Sequence, residues 1–480
     1  MSRAGRSVLR FAVAAAIAGW AVHDCYPQES PAVTIDADRM LVVGGQRTFV
    51  LGLYETSQEE AFLADVAGAG FNLVRAAANR EALDQLHGHG LRAWLTTGGA
   101  IDLSTNRTDH ENRLRAMVES FASHPALLVW EVPDEALWNV WYGPLNWRRG
   151  GEREAIRGHI AALEDRGLAK DLADRMNEAS DLFLRGEFKA WEDATAEIWR
   201  KLGKEQPRAD QKISNAPERA ARMAEGMLEG YRFLRQLDLN HQVWMNHAPR
   251  NSYPQLASFN RAADIVGCDI YPVPPYRGGH SDIRDRSLSA VGAYTTIMQD
   301  AAPGKPVWMV LQGFGWADLS EDPSKEEAEE KPRPSFDQSR FMAYDAIVRG
   351  ARGILYWGTY RIEKDSELWT HLLRLIRELA DLQPVLSAPD AGLDIDVTLF
   401  ETWGSVDKGV EVLAKDVNGE IWFFVVNEWH EPLRYTLSGL DRLEGTVYAD
   451  SGAERMAAVK DGKLELSIRG FGVQVLRANS

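Results

Sequence analysis

Residues 126–135 read Ala126-Leu127-Leu128-Val129-Trp130-Glu131-Val132-Pro133-Asp134-Glu135, and this stretch decides the fold. Its first seven residues carry a single acid among apolar side chains, which is the composition of a strand covered on both faces. A proline and two acids then end the run at once. Strands covered on both faces belong to parallel sheets, where crossover helices lie over the outer side. Seven more short apolar runs lie at 48–54, 71–77, 91–97, 242–247, 265–271, 306–312 and 353–358. Segments with helical spacing separate them, among them 59–68, 113–123, 218–237, 288–300, 338–349 and 367–386. Eight strands alternating with helices predict an α/β fold, the closed (β/α)₈ or TIM barrel. No GxGxxG turn follows the first strand, which weakens the open dinucleotide-binding alternative, and no cofactor is expected.

Working outward, the barrel is assigned to residues 32–386. From about 143 to 213 the rhythm breaks into charged, strand-poor sequence rich in helix formers, read as a helical insertion after strand four. It rises from the face where barrel active sites are built, either as a solvated helical pair or as a lid or subsite wall. The acidic stretch 318–334 reads as a mobile loop. From 390 to 480 the helical spacing is gone, and strand-like runs at 410–413, 421–426, 433–437, 445–448, 464–468 and 472–476 predict a C-terminal antiparallel β-sandwich. At the other end Arg3, Arg6 and Arg10 precede the apolar run 11–22, so residues 1–25 read as a signal peptide or N-terminal anchor and the chain as exported.

Composition narrows the partners. The chain has 480 residues, enough for a barrel and a smaller companion, and its 45% hydrophobic and 26% charged content is that of a globular protein. A formal charge of −16 disfavours nucleic acid and anionic lipid as partners. Beyond the possible N-terminal anchor, no membrane partner is expected. The sixteen tryptophans suit either core packing or the apolar faces of sugar rings. Cys25 and Cys268 make no disulfide framework, and no HExxH or paired-cysteine spacing implies a metal.

The candidate chemistry gathers where strands end. Glu135 closes strand four at the active face, where a buried carboxylic acid can protonate a departing glycosidic oxygen. With Asp134 before it, the segment resembles the fourth strand of the clan A glycoside hydrolases, the (β/α)₈ enzymes related to cellulases and β-galactosidases. The resemblance covers roughly residues 35–386. It implies that Glu135 is the acid/base and that Asp134 takes the place of the asparagine that touches the sugar 2-hydroxyl. Gly70-Phe71-Asn72-Leu73-Val74-Arg75 is similar to the clan's second strand, which implies that Arg75 supports the catalytic carboxylates; an interior salt bridge is the other reading. Residues 33–54 resemble the lead-in to the first strand.

One departure stands out. The run Lys305-Pro306-Val307-Trp308-Met309-Val310-Leu311-Gln312 resembles the clan's nucleophile strand, but the expected glutamate is Gln312, and an amide cannot form the glycosyl-enzyme ester. Three readings stay open. Another carboxylate acts, with Asp269, Glu55, Glu363, Asp365 and Glu367 as candidates; or Gln312 orients a substrate group that participates itself; or the barrel binds an oligo- or polysaccharide without cleaving it. Asn246 and His247 at the end of strand five, Tyr271 after strand six and Trp357 after strand eight are expected sugar contacts. Trp138, Trp141, Tyr142 and Trp147 either line a subsite or anchor the insertion.

Overall fold

The computed structural model describes residues 32–275, 285–400, 408–451 and 456–478. The N-terminal segment 1–25, with Cys25, lies outside them. Eight parallel strands close the barrel: β1 (Val50–Leu53), β2 (Leu73–Arg75), β3 (Arg92–Thr96), β4 (Leu127–Glu131), β5 (Gln242–His247), β6 (Ile265–Ile270), β7 (Val307–Gln312) and β8 (Gly353–Trp357). Each strand pairs with its neighbours in chain order, and β8 returns to β1. All eight lie within the stretches expected from the sequence. Helices cover the outside, and the apolar sides of the longest of them form one continuous core with the outward strand residues.

Successive side chains on a strand face opposite sides, so every second residue enters the barrel. What enters here is unusually aromatic. Trp94, Trp244 and Trp308 fill the interior with Tyr54, ring centroids 4.9–5.6 Å apart. Indoles this bulky fit only because neighbouring inward positions are empty. A Cβ on Gly267 would lie 2.1 Å from the Trp308 carbonyl oxygen, and one on Gly353 would lie 2.7 Å from the Trp308 ring. Below this plug, a three-stranded antiparallel sheet (Val33–Ile35, Leu41–Val43, Gln46–Thr48) stops the N-terminal end, inserting Val33 and Leu41 into the interior cluster. The barrel is therefore solid, and a ligand has access only from the opposite, C-terminal end.

The insertion after β4 folds as helices with small cores of their own. Ile156, Ile160, Leu172, Met176, Ile198 and Trp199 form one, and Ala179, Trp191 and Ile213 centre another. Buried acids bind its layers: Glu192 accepts from the backbone N–H of Ile213 and Ser214, and Glu152 accepts from Arg148, Trp199 and Gln206. The long helix Ala216–Leu237 then brings the chain back to β5.

The C-terminal region forms two antiparallel sheets, of three and five strands, around an apolar cluster. Two of their strands, Asp396–Leu399 and Met456–Ala458, escaped the sequence reading. Both are short and half exposed, so neither makes an apolar run. Arg349 on the barrel reaches Glu411 and Glu428 on the sheets at 3.0 and 2.7 Å. The acidic stretch 318–334, expected as a mobile loop, is instead pinned and partly helical (Lys325–Glu330). Arg333 bridges Asp318 and Glu363 at 2.8 and 2.9 Å, so the charges that suggested solvation bind the loop to itself and to the β8 side. Among the described residues no helix is long and apolar enough to cross a membrane.

Candidate active site

The C-terminal ends of β4, β5, β6 and β8 surround a cleft of 410 Å³. Its polar floor is Asp134, Glu135, Asn246 and Asp269. Parity explains the last two: counting in twos from the interior residues Trp244 and Gly267 delivers Asn246 and Asp269 inward, at the top of the plug. Glu135 arrives differently. After Pro133 the chain leaves the strand, and Glu135 takes a left-handed conformation (φ 49°, ψ 35°) as the residue before helix Ala136–Asn146. A non-glycine residue held there is strained and must be held by its surroundings. Its backbone N–H donates to the Asn246 carbonyl at 3.3 Å, and its own carbonyl accepts from Asn139 at 2.9 Å.

The carboxyl groups are wired together. Asn246 donates through Nδ2 to Asp134 at 2.9 Å and to Asp269 at 3.3 Å. Glu135 and Asp269 are hydrogen-bonded to each other, and Tyr271 is hydrogen-bonded to Asp269. Two carboxyls in that contact cannot both be ionised. Burial, then the charge of Asp134, pushes Glu135 up to about 7, partly offset by the hydrogen bond from Asp269. Asp269 is raised well above the usual carboxylate range by burial and by Glu135 and Asp134, so the shared proton rests mainly on Asp269. Asp134 is raised by burial but steadied by Asn246 and by the positive charge of Arg75.

Aromatic walls flank the acids. On one side Trp138 stacks on Tyr142 at 4.7 Å, with the Arg250 guanidinium 4.9 Å from the Trp138 ring centre. On the other, Tyr271 stacks on Trp357 at 5.6 Å, and Phe314 meets both edge-on. Of the four aromatics grouped in the sequence, Trp138 and Tyr142 face the cleft, whereas Trp141 packs on the barrel core and Trp147 lies under Arg208. The helical period divides one sequence cluster between a subsite wall and an anchor.

Three expected site residues, Gln312, His247 and Arg75, do not line the cleft. Gln312 is fully buried and does not line the cleft: its Oε1 accepts from the Val273 N–H at 2.9 Å, and its Nε2 donates to the carbonyls of Val273 and Phe314 at 2.8 and 3.0 Å. The amide is consumed in tying β7 to the chain after β6. His247 has the wrong parity. It faces outward, its Nε2–H donating to Asn260 Oδ1 at 2.9 Å against Phe259, and burial pushes it down to about 4. Arg75 does not line the cleft, and its charge acts on Asp134 and Glu131 rather than on Glu135. Glu55 is tied to Thr359 and Lys364, and Glu363 to Arg333, so neither is free to act.

The structure adds residues that sequence reasoning missed. Glu131 is completely buried beside Tyr54, which donates to it at 3.1 Å, and burial, then Asp134, raises it to about 8. A lone acid in an apolar strand, at an inward position, was the available signal. Arg250, Phe314 and Trp316 also line the cleft, from loops that carry no periodicity to read. Among the described residues no three His, Cys, Asp or Glu side chains converge as metal ligands.

No family model matches the chain, and no curated protein matches it. Solved structures do. A catalytic mutant of a GH42 β-galactosidase from G. stearothermophilus is 10% identical with a TM-score of 0.51, over 95% of this chain and 100% of that one. A family 5 glycoside hydrolase from Bacteroides vulgatus is 12% identical with a TM-score of 0.50, over 93% of each chain. The chain spans 60% of the length of a β-galactosidase from the psychrophilic Marinomonas ef1, at 13% identity, 69% coverage of this chain and a TM-score of 0.44. At these identities the likeness is one of fold: a closed parallel barrel followed by antiparallel sheets.

Proposed function

We propose that the protein is an exported glycoside hydrolase that cleaves O-glycosidic bonds in an oligo- or polysaccharide, with Glu135 as acid/base and Asp269 as its carboxylate partner. The observation that carries this reading is the Glu135–Asp269 pair, sharing one proton at the floor of a cleft with stacked aromatics on both sides. Sugar rings offer apolar faces to such walls and hydroxyls to the acids between them.

The pair supplies both groups that double displacement needs. Moving the shared proton across the hydrogen bond leaves a protonated Glu135 and a charged Asp269. Glu135 then gives that proton to the leaving oxygen while Asp269 attacks the anomeric carbon; in the second half, Glu135 takes a proton from the water that breaks the ester. Retention places the carboxyls roughly 5–5.5 Å apart and inversion roughly 6.5–9.5 Å with a water between them; a pair in hydrogen-bond contact that a sugar must part is nearer the first, so the reading favours retention. Asp134, held by Asn246, is placed to accept from a sugar hydroxyl. Export rests on the arginine-then-apolar order of residues 3–22.

The second reading is a barrel that binds saccharide without cleaving it, favoured by the engagement of Gln312 with backbone. One comparison separates the two: reducing-sugar release by wild type and Glu135→Gln across β-linked polysaccharides and aryl glycosides. Release that falls by about 10²–10⁴-fold in Glu135→Gln supports hydrolysis. Binding without release in both forms overturns it.

A further inference from the structure

The helix that carries Trp138 and Tyr142 into the cleft continues past it. After Asn146 it widens into one π turn, Trp147–Gly151, and runs on as Glu152–Ala161. Such turns insert one residue and redirect the side chains that follow, and they recur at functional sites. Here the turn holds Arg148 and Arg149, which with Arg153 edge a second pocket of 160 Å³ walled by Phe183, Leu184 and Trp191.

The three arginines are not equivalent. Arg148 is spent: it pairs with Glu152 at 2.7 Å and donates to the carbonyls of Arg208 and Gln211. Arg149 and Arg153 have no ion pair and no hydrogen bond among the described residues, and the Arg153 Nε is shielded from water without an acceptor. Other cations on these helices are matched, as in Lys170–Asp174, Arg175–Asp171, Arg185–Glu187 and Lys189–Asp193, and the unmatched Arg157 and Arg166 do not line this pocket. No carboxylate lines the pocket, although the chain carries a net charge of −16. The C-terminal end of helix Arg166–Leu184 lies alongside, and its dipole favours nearby cations, but it places no acceptor on the Arg153 Nε. A desolvated guanidinium N–H is costly unless a ligand completes it.

We infer that this pocket takes an anionic group, a carboxylate or a sulfate, carried by a saccharide chain that also occupies the cleft. Two unspent guanidinium forks suit an oxyanion, and Phe183 and Trp191 give its ring an apolar wall. Tyr142 in the cleft and Arg149 at the pocket are seven residues apart on one helical rod, about 10 Å at 1.5 Å per residue, so one extended chain reaches both. The overall negative charge repels a polyanion at a distance, so the fit is to a chain with sparse acidic substituents. The saccharide assignment rests on the proposed reading of the cleft; the anion site does not.

The test is calorimetric titration of the full-length Glu135→Gln protein with a cello-oligosaccharide, its 6-O-sulfated form, its C6-oxidised uronate form, and inorganic sulfate. A charged chain is expected to bind at least about tenfold tighter than the neutral one, and the better of the two names the anion. That preference is expected to vanish in Arg149→Ala, where an exposed side chain is removed at little risk to folding, and in Arg153→Ala. Equal affinity for charged and neutral chains, a preference that survives both substitutions, or no binding of any chain overturns the proposal. Inorganic sulfate binding as tightly as the sulfated chain overturns the saccharide assignment. Absence of hydrolysis by wild type, with the preference intact, overturns the reading of the cleft alone and leaves the anion site standing.

Discussion

Asp269 and Gln312 end neighbouring barrel strands, β6 and β7, and strand parity turns both inward. One becomes half of a carboxyl pair open to the cleft. The other, with three backbone hydrogen bonds, becomes part of the wall. The difference lies in what the following loop offers. The chain after β6 passes Val273 directly over Gln312, so its N–H and carbonyl meet the amide, whereas no neighbouring loop backbone covers Asp269, which meets its own N–H and the side chains of Glu135, Asn246 and Tyr271. An inward strand end is a necessary condition for a catalytic side chain and not a sufficient one.

The largest effect expected from this contrast is at Asp269. Asp269→Asn keeps the size and a donor toward Glu135 but removes the nucleophile, so kcat is expected to fall about 10³-fold or more with the melting temperature nearly unchanged. A variant that keeps more than a tenth of wild-type kcat would break the comparison. Next is Gln312→Glu. It puts a carboxylate against the carbonyls of Val273 and Phe314, where Nε2 now donates, and is expected to cost about 2–4 kcal/mol in urea unfolding with no gain in activity. Increased turnover would show that β7 retains the nucleophile position after all. The smallest effect is on pH. The active pair holds one proton, so with Glu135 pushed up to about 7 and Asp269 higher still, the rate should rise as pH climbs through that region and the second proton leaves, and fall only when the shared proton is lost. Because the Asp134 charge helps raise Glu135, Asp134→Asn should move this acid limb to lower pH. A limb that does not move would remove Asp134 from the network.

Much of the fold was legible from residue order. The β4 run at 126–132, the β6 and β7 runs with one polar residue each, and the long amphipathic helix Glu367–Asp381 each announce their element locally. Strands Asp396–Leu399 and Met456–Ala458 did not, since short half-exposed strands owe their state to their neighbours. In the site, Glu135, Asp269, Asn246, Tyr271 and Trp357 were readable as strand-end residues. His247 was misread by a single position, and one position is the whole difference between the two faces of a strand.

The sequence by itself determined the barrel, the position of Asn246 and Asp269 at strand ends, and the presence of an acid where β4 ends, because apolar runs and their ends are local properties of the chain. Only the tertiary structure decided that Glu135 shares its proton with Asp269, that Gln312 is sewn into the wall, and that Arg149 and Arg153 go unmatched. Each of these depends on which donors and acceptors meet across the fold, between residues far apart in sequence and shielded from water, and that proximity is a property of packing rather than of order along the chain.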